Sequence, residues 1–158
     1  VAPSLIVFSL FKEMDYSGAM ESLAGVFPYL AFLLSVFSAL RLAKFNNDTR
    51  QTSSFVGLPV PANALFWASL VTGAHDWLVS SNFHPVYLLL LVCLFSWLLV
   101  SEIPMFSLKF KNLSWKDNKT SFIFLLVCIP FLIFLGICSF SAIIVWYILL
   151  SLITRKSK

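Results

Sequence analysis

Between Ser121 and Ile153 the chain carries no charged side chain and few polar ones. As one helix this run would extend roughly 50 Å at about 1.5 Å per residue, against a hydrocarbon layer about 30 Å thick. It therefore predicts two helices, over residues 121–137 and 141–153, joined by a tight turn that Gly136, Ser139 and Ser141 can make. The same ruler finds three further spans, over residues 22–43, 61–79 and 85–103, and reads residues 1–11 as the remnant of a preceding helix. The expected fold is all-α, a polytopic transmembrane helical bundle of five spans plus that remnant. Residues 1–158 form a single transmembrane domain, with residues 138–158 as the end of the final hairpin and a basic tail.

Composition and charge support this reading. Hydrophobic residues make up 59% of the chain and charged ones 11%, where soluble domains have about 45–50% and about 25%. The formal charge of +4 falls in short clusters beside apolar runs, the pattern of orientation determinants, and predicts no nucleic-acid partner. Arg41, Lys44 and Arg50 lie in one loop, Lys109, Lys111, Lys116 and Lys119 in a second, and Arg155, Lys156 and Lys158 in the tail. The intervening loops around Asp76 and Ser139 carry no Lys or Arg, so the basic loops are expected on the cytoplasmic side. Cys93, Cys128 and Cys138 sit in apolar runs without a C-x-x-C pair, as packing residues do. Residues 1–11 lack a basic start and a small-residue cleavage site, so they do not read as a signal peptide. Pro61 and Pro85 fall at helix starts, whereas Pro28 and Pro130 fall inside spans and predict kinks.

The stretch most suggestive of chemistry is Leu40-Arg41-Leu42-Ala43-Lys44-Phe45-Asn46, followed by Phe55-Val56-Gly57-Leu58-Pro59-Val60-Pro61. It places a planar cationic fork, a point charge and an amide where an apolar helix leaves the bilayer. Gly57 removes a side chain where the chain turns back, and Pro59 with Pro61 stiffens the re-entry. On residue types alone, two readings stay open: these cations set topology and touch lipid phosphates, or they line a polar cavity.

With Leu99-Val100-Ser101-Glu102-Ile103-Pro104 and Ser107-Leu108-Lys109-Phe110-Lys111, these elements occur in the order found in the CDP-alcohol phosphatidyltransferase family. They resemble most the RLA[RK]FN, F-x-G-L-P-x-P and LMVS...P...S-K-F-K signatures of its phosphatidylserine synthase branch. Lys44 stands where many relatives have Arg. The resemblance implies transfer of a phosphatidyl group from CDP-diacylglycerol to L-serine, releasing CMP, in a bacterial inner membrane with the active face cytoplasmic. It implies substrate-binding roles for Arg41, Lys44, Asn46, Gly57 and Pro59, membrane lipids as partners, and the homodimer that the family commonly forms.

The family's chemistry also uses a divalent metal, magnesium or manganese, held by the aspartates of a D-G-x-x-A-R...G-x-x-x-D-x-x-x-D motif. This chain has no such motif. Its acids, Glu13, Asp15, Glu21, Asp48, Asp76, Glu102 and Asp117, are scattered, so no catalytic residue and no metal ligand is assigned. Val1-Ala2-Pro3-Ser4 resembles the end of the family's VSFG-x-AP stretch. The sequence is therefore expected to begin just downstream of the catalytic helix, as a carboxy-terminal fragment inactive by itself. His75 with Asp76, and His84, read as interfacial polar groups beside Trp77 and Phe83. Glu102 is expected either to pair with Lys109 or Arg41 or to stand exposed at the interface. The competing functions are a related transferase with glycerol phosphate, choline or inositol as acceptor, and a non-enzymatic transporter or scaffold.

Overall fold

The structure, a computed structural model, describes residues 1–16, 18–47, 55–80, 82–105 and 119–155. Arg50, Asp48, Ser107, Lys109, Lys111, Lys116, Asp117, Lys156 and Lys158 lie outside the described residues. The described chain is all-α apart from one two-residue ladder. Its elements are α1 (Ala2–Glu13), a 3-10 turn (Gly18–Leu23), α2 (Phe27–Leu30), α3 (Leu33–Asn47), β1 (Phe55–Val56), α4 (Val60–Val79), α5 (Pro85–Val100), β2 (Pro104–Met105), α6 (Lys119–Leu135), a second 3-10 turn (Gly136–Cys138) and α7 (Ser139–Arg155).

The expectation of an uninterrupted span from residue 22 needs correction. Helix begins instead at Phe27, and Pro28 occupies the first turn of α2 rather than a helix interior, because proline lacks the N–H that an interior position must donate. Pro61 and Pro85 likewise fall in first turns, while Pro130 is inside α6. The long apolar run folds back as expected, although the reversal comes slightly earlier, at Gly136–Cys138. Gly136 takes a φ of 54°, a left-handed conformation that glycine adopts without a Cβ clash. The Phe124 and Tyr147 rings then meet edge to face at 6.0 Å, which only an antiparallel α6–α7 pair allows.

Among the described residues two stretches are long and apolar enough to cross a membrane, Phe27–Asn46 and Thr120–Thr154, the second of them folded at Gly136, and Pro85–Val100 is apolar but shorter. The surface outside the core is not what water selects. Phe134 is 83% exposed and Ile133 72%, in company with exposed Leu126, Ile129 and Leu90. Exposed apolar side chains of this size and number mark a surface meant for a non-aqueous neighbour.

Inside, α3 runs along α5, and α4 packs against α1 and α7. Trp67 and Phe11 are fully buried. Phe66 stacks on Phe95 with centroids 4.0 Å apart, and Trp67 meets the same ring edge-on at 5.6 Å. The indole N–H of Trp67 donates to the Asn63 carbonyl oxygen one turn earlier, at 3.1 Å, so the one ring carries both bulk and a satisfied polar edge.

The ends of the bundle differ chemically. Glu13 of α1, His75 and Asp76 of α4 and the Gly136 turn share one end, where His75 Nε2 lies 2.9 Å from Glu13 Oε2 and α4 contacts the turn. Nearby, the Tyr16 hydroxyl donates to the Phe11 carbonyl at 2.9 Å, and burial pushes its pKa up to about 12, so it donates as a neutral phenol at physiological pH. Arg41, Lys44, the start of α4, β2 and the end of α7 share the other end. This arrangement agrees with the alternation of Lys and Arg along the sequence.

Small polar residues seam α4 to α7. The Ser69 and Ser141 hydroxyls bond to each other, and Ser141 also donates to the Phe66 carbonyl at 3.0 Å. Hydrogen bonds between apolar helices contribute only about 0.6 kcal/mol on average, whereas overpacking a tight contact costs roughly 1–3 kcal/mol. We expect Ser141→Ala to lower unfolding free energy in detergent by about 0.6 kcal/mol, and Ser141→Leu by about 1–3 kcal/mol. Equal losses would mean that the hydroxyl, not the space, holds the seam.

Candidate functional site

An apolar helix that ends with its last carbonyls exposed has four acceptors to satisfy. At the end of α5, Ser101 meets part of this demand itself, through its N–H to the Trp97 carbonyl and its hydroxyl to the Leu98 carbonyl, each at 2.9 Å, and the chain that returns from α3 adds further donors there and just beyond the helix end. The Gly57 N–H donates to the Ile103 carbonyl at 2.9 Å, and the Leu58 N–H to the Leu98 carbonyl at 3.0 Å. Just before them, β1 pairs antiparallel with β2, with Phe55 opposite Met105 and Val56 opposite Pro104. Leu58 is fully buried and anchors the segment in the core.

Arg41 closes this arrangement from α3. It is 9% exposed, and its Nη2 reaches the carbonyls of Val56 and Gly57, each at 3.3 Å. Its Nε is buried without a partner. The phenol of Tyr147 on α7 is near enough to interact electrostatically with the guanidinium. One turn on, Lys44 Nζ donates to the Val100 carbonyl at 3.3 Å and pairs with Glu102 Oε1 at 3.1 Å. A cation at the carbonyl end of a helix is favourably placed against its dipole, and Lys44 bridges α3 to α5 in that position. Glu102, expected either to pair with Lys109 or Arg41 or to stand exposed at the interface, is exposed and pairs with Lys44, while Lys109 lies outside the described residues.

The five residues expected to bind substrate are therefore placed differently from one another. Arg41 turns inward, and Gly57 is buried against the end of α5. Lys44 is half-exposed beside Glu102. Asn46 is exposed, and Pro59 caps α4 half-buried. Sequence reading singled out Gly57 for its lack of a side chain but not for what it touches, and it missed the α5 carbonyls altogether. Backbone acceptors leave no mark in a sequence beyond the helix end itself. Asn63 and Ser96 were also passed over. Both are buried, and Asn63 Nδ2 and Ser96 Oγ have no partner; a lone Asn in an apolar helix is the signal that could have found the first.

The donor set at this end does not suit a divalent metal. Among the described residues its carboxylate is Glu102, which is exposed and paired, whereas magnesium takes several oxygens in octahedral array. A separate groove of about 330 Å³ lies between α5 and α7, lined by apolar side chains including Leu94, Trp97, Leu98, Ile103, Ile148 and Leu152. It contains none of the five residues and offers nothing to orient a polar ligand.

These features define a helical protein with an apolar exterior and a polar, cationic end. Over 100 residues the chain is 29% identical to the CDP-diacylglycerol–serine O-phosphatidyltransferase of Bacillus subtilis (strain 168), a stretch that covers 63% of this chain and 51% of that protein. The chain thus spans about half the length of the curated relative it matches. No family model matches it, and no solved structure does.

The geometry separates the two cations. Arg41→Met should lower stability by about 1.5–3 kcal/mol, because it removes charge-assisted bonds to two buried carbonyls. Lys44→Met should cost about 0–1 kcal/mol, as expected of an exposed pair. Thermal unfolding in detergent checks both; a Lys44 effect as large as that of Arg41 would contradict the assignment.

Proposed function

We propose that this chain is part of a CDP-alcohol phosphatidyltransferase, embedded in the bacterial cell membrane by five crossings with its basic end in the cytoplasm. The protein transfers a phosphatidyl group from CDP-diacylglycerol to L-serine and takes part in phospholipid biosynthesis. The Bacillus subtilis relative is named for this activity. The observation that carries the reading furthest is convergence: the neighbouring stretches 40–46 and 55–61 meet the distant stretch 99–104 at one end of the bundle, around an inward-facing guanidinium. If these stretches served only to orient helices, nothing would require them to touch.

Chemically, a nucleotide lipid and an amino acid both bring anionic oxygens to a membrane surface. Arg41 supports their recognition, because Nε is a buried donor with no acceptor, and a buried unsatisfied N–H costs about 1–3 kcal/mol until an acceptor arrives. Lys44 and Asn46 stand further out on the same helix, where they would meet an incoming polar substrate. The apolar groove between α5 and α7 is suited to hydrocarbon rather than headgroup. Homodimerisation and the divalent metal belong to the same reading, with the metal's ligands supplied from outside this chain.

The test uses membranes containing the protein expressed from its complete coding sequence. Radiolabelled serine should enter lipid only when CDP-diacylglycerol is present, and Arg41→Ala should raise the serine requirement or abolish transfer. Serine that crosses the membrane without nucleotide lipid and without labelled product would identify a carrier. Label that enters lipid from glycerol phosphate, choline or inositol instead would reassign the acceptor.

A further inference from the structure

We infer that residues 55–58 act as a latch that sets the position of the Arg41 guanidinium, and that Gly57 is the positioning residue on which the latch depends. Its catalytic consequence rests on the transferase reading above; its structural part does not.

Two carbonyls, Val56 and Gly57, hold Arg41 Nη2. Where those carbonyls lie is decided on their other side, where the N–H groups of Gly57 and Leu58 seat on the Ile103 and Leu98 carbonyls. The seat is too close for a side chain. A Cβ at position 57 would lie 2.8 Å from the Ser101 carbonyl oxygen and 2.9 Å from that of Leu99. Both are backbone atoms at a helix end, and neither can swing away as a flexible side chain would. The φ of 75° at Gly57 adds a second demand, since residues with a Cβ adopt it only with strain.

The two demands can be separated. Asparagine tolerates positive φ far better than alanine does, but it brings the same Cβ. If backbone conformation were all that mattered, Gly57→Asn would behave much like the native chain. Close approach predicts instead that both substitutions lift the segment off α5, break the two seating bonds and carry both carbonyls away from Arg41. Glycine at this position therefore acts through another residue, without touching substrate.

The ladder supplies a direct readout. Val56 and Pro104 face each other in an antiparallel pair, where Cα separations of about 4.5–5.5 Å fall within the range a disulfide bridges. In the complete protein with its native cysteines changed to alanine, Val56→Cys with Pro104→Cys should cross-link readily on mild oxidation. A second pair, Glu13→Cys with His75→Cys bridged by a short bismaleimide, reports the opposite end of the bundle, where the native side chains meet at 2.9 Å.

Gly57→Ala and Gly57→Asn should each slow the 56–104 cross-link by about tenfold or more while leaving the 13–75 cross-link unchanged. Each should also reduce serine incorporation by about tenfold to a hundredfold, as a displacement of the order of an ångström can do. Adding Arg41→Ala to either should lower incorporation no more than about twofold further, because residues on one path are not additive. A native rate of 56–104 cross-linking in Gly57→Ala overturns the latch, as does restoration by Gly57→Asn. Loss of both cross-links also overturns it, because Gly57 would then be a folding determinant. If the unsubstituted protein transfers no phosphatidyl group, the functional reading fails by itself, and the cross-links still decide the latch.

Discussion

The carbonyl end of α5 is the constraint around which the rest of this bundle is arranged. Helices that end in apolar surroundings cannot leave acceptors to bulk water, and each unsatisfied group costs several kcal/mol there. The chain answers with donors from two other segments. Residues 57 and 58 give backbone N–H groups to Ile103 and Leu98, and Lys44 gives an ammonium to Val100. Because those donors come from the loop between α3 and α4 and from α3 itself, satisfying α5 also fixes how α3 sits and where α4 begins.

The same logic explains the contrast between the bundle's ends. At the turn end, reversal is local: Gly136 bends the chain within one 3-10 turn, and the Ser139 hydroxyl bonds to the Gly136 carbonyl. Among the described residues, the ion pairs that reach across helices there are exposed, with His75 and Glu13 each about half exposed, and pairs of that kind add little. At the basic end, reversal is long-range and its guanidinium is buried, with Lys44 and Glu102 exposed at the rim. A site that must hold geometry against a polar substrate is better built on the second arrangement, where side chains and backbone fix one another.

Most of the helical architecture was legible because length and apolarity are properties of the sequence itself. Residues 61–79 and 85–103 became Val60–Val79 and Pro85–Val100, and the hairpin was recoverable from the excess length of its apolar run. The error at residues 22–26 has a definite cause: hydropathy scores Leu23 and Val26 as span, while Pro28 dictates where helical hydrogen bonding can start. The candidate site was legible only as a set of residue types. That Arg41 would spend its Nη2 on Val56 and Gly57 depends on where α5 ends in space, and no spacing between positions 41, 57 and 98 encodes that. Glu102 shows the same limit. Its charge was evident, but its choice of Lys44 follows from two helices ending side by side.

In the proposed site, Arg41 would hold scaffold and ligand roles together through the shape of its own side chain. A lysine in its place would be a point charge, free to serve either the loop carbonyls or an incoming anion. Guanidinium divides the work among fixed nitrogens. With Nη2 occupied by Val56 and Gly57, the plane is held, and the direction of Nε is set before any ligand arrives. Such a donor needs no reorganisation to meet an oxyanion, which is where preorganised electrostatics gains most over water. The hydrogen bonds that make Arg41 part of the scaffold are thus the ones that would make it selective in a site, and Gly57, by allowing the loop to lie flat on α5, decides where that selectivity points.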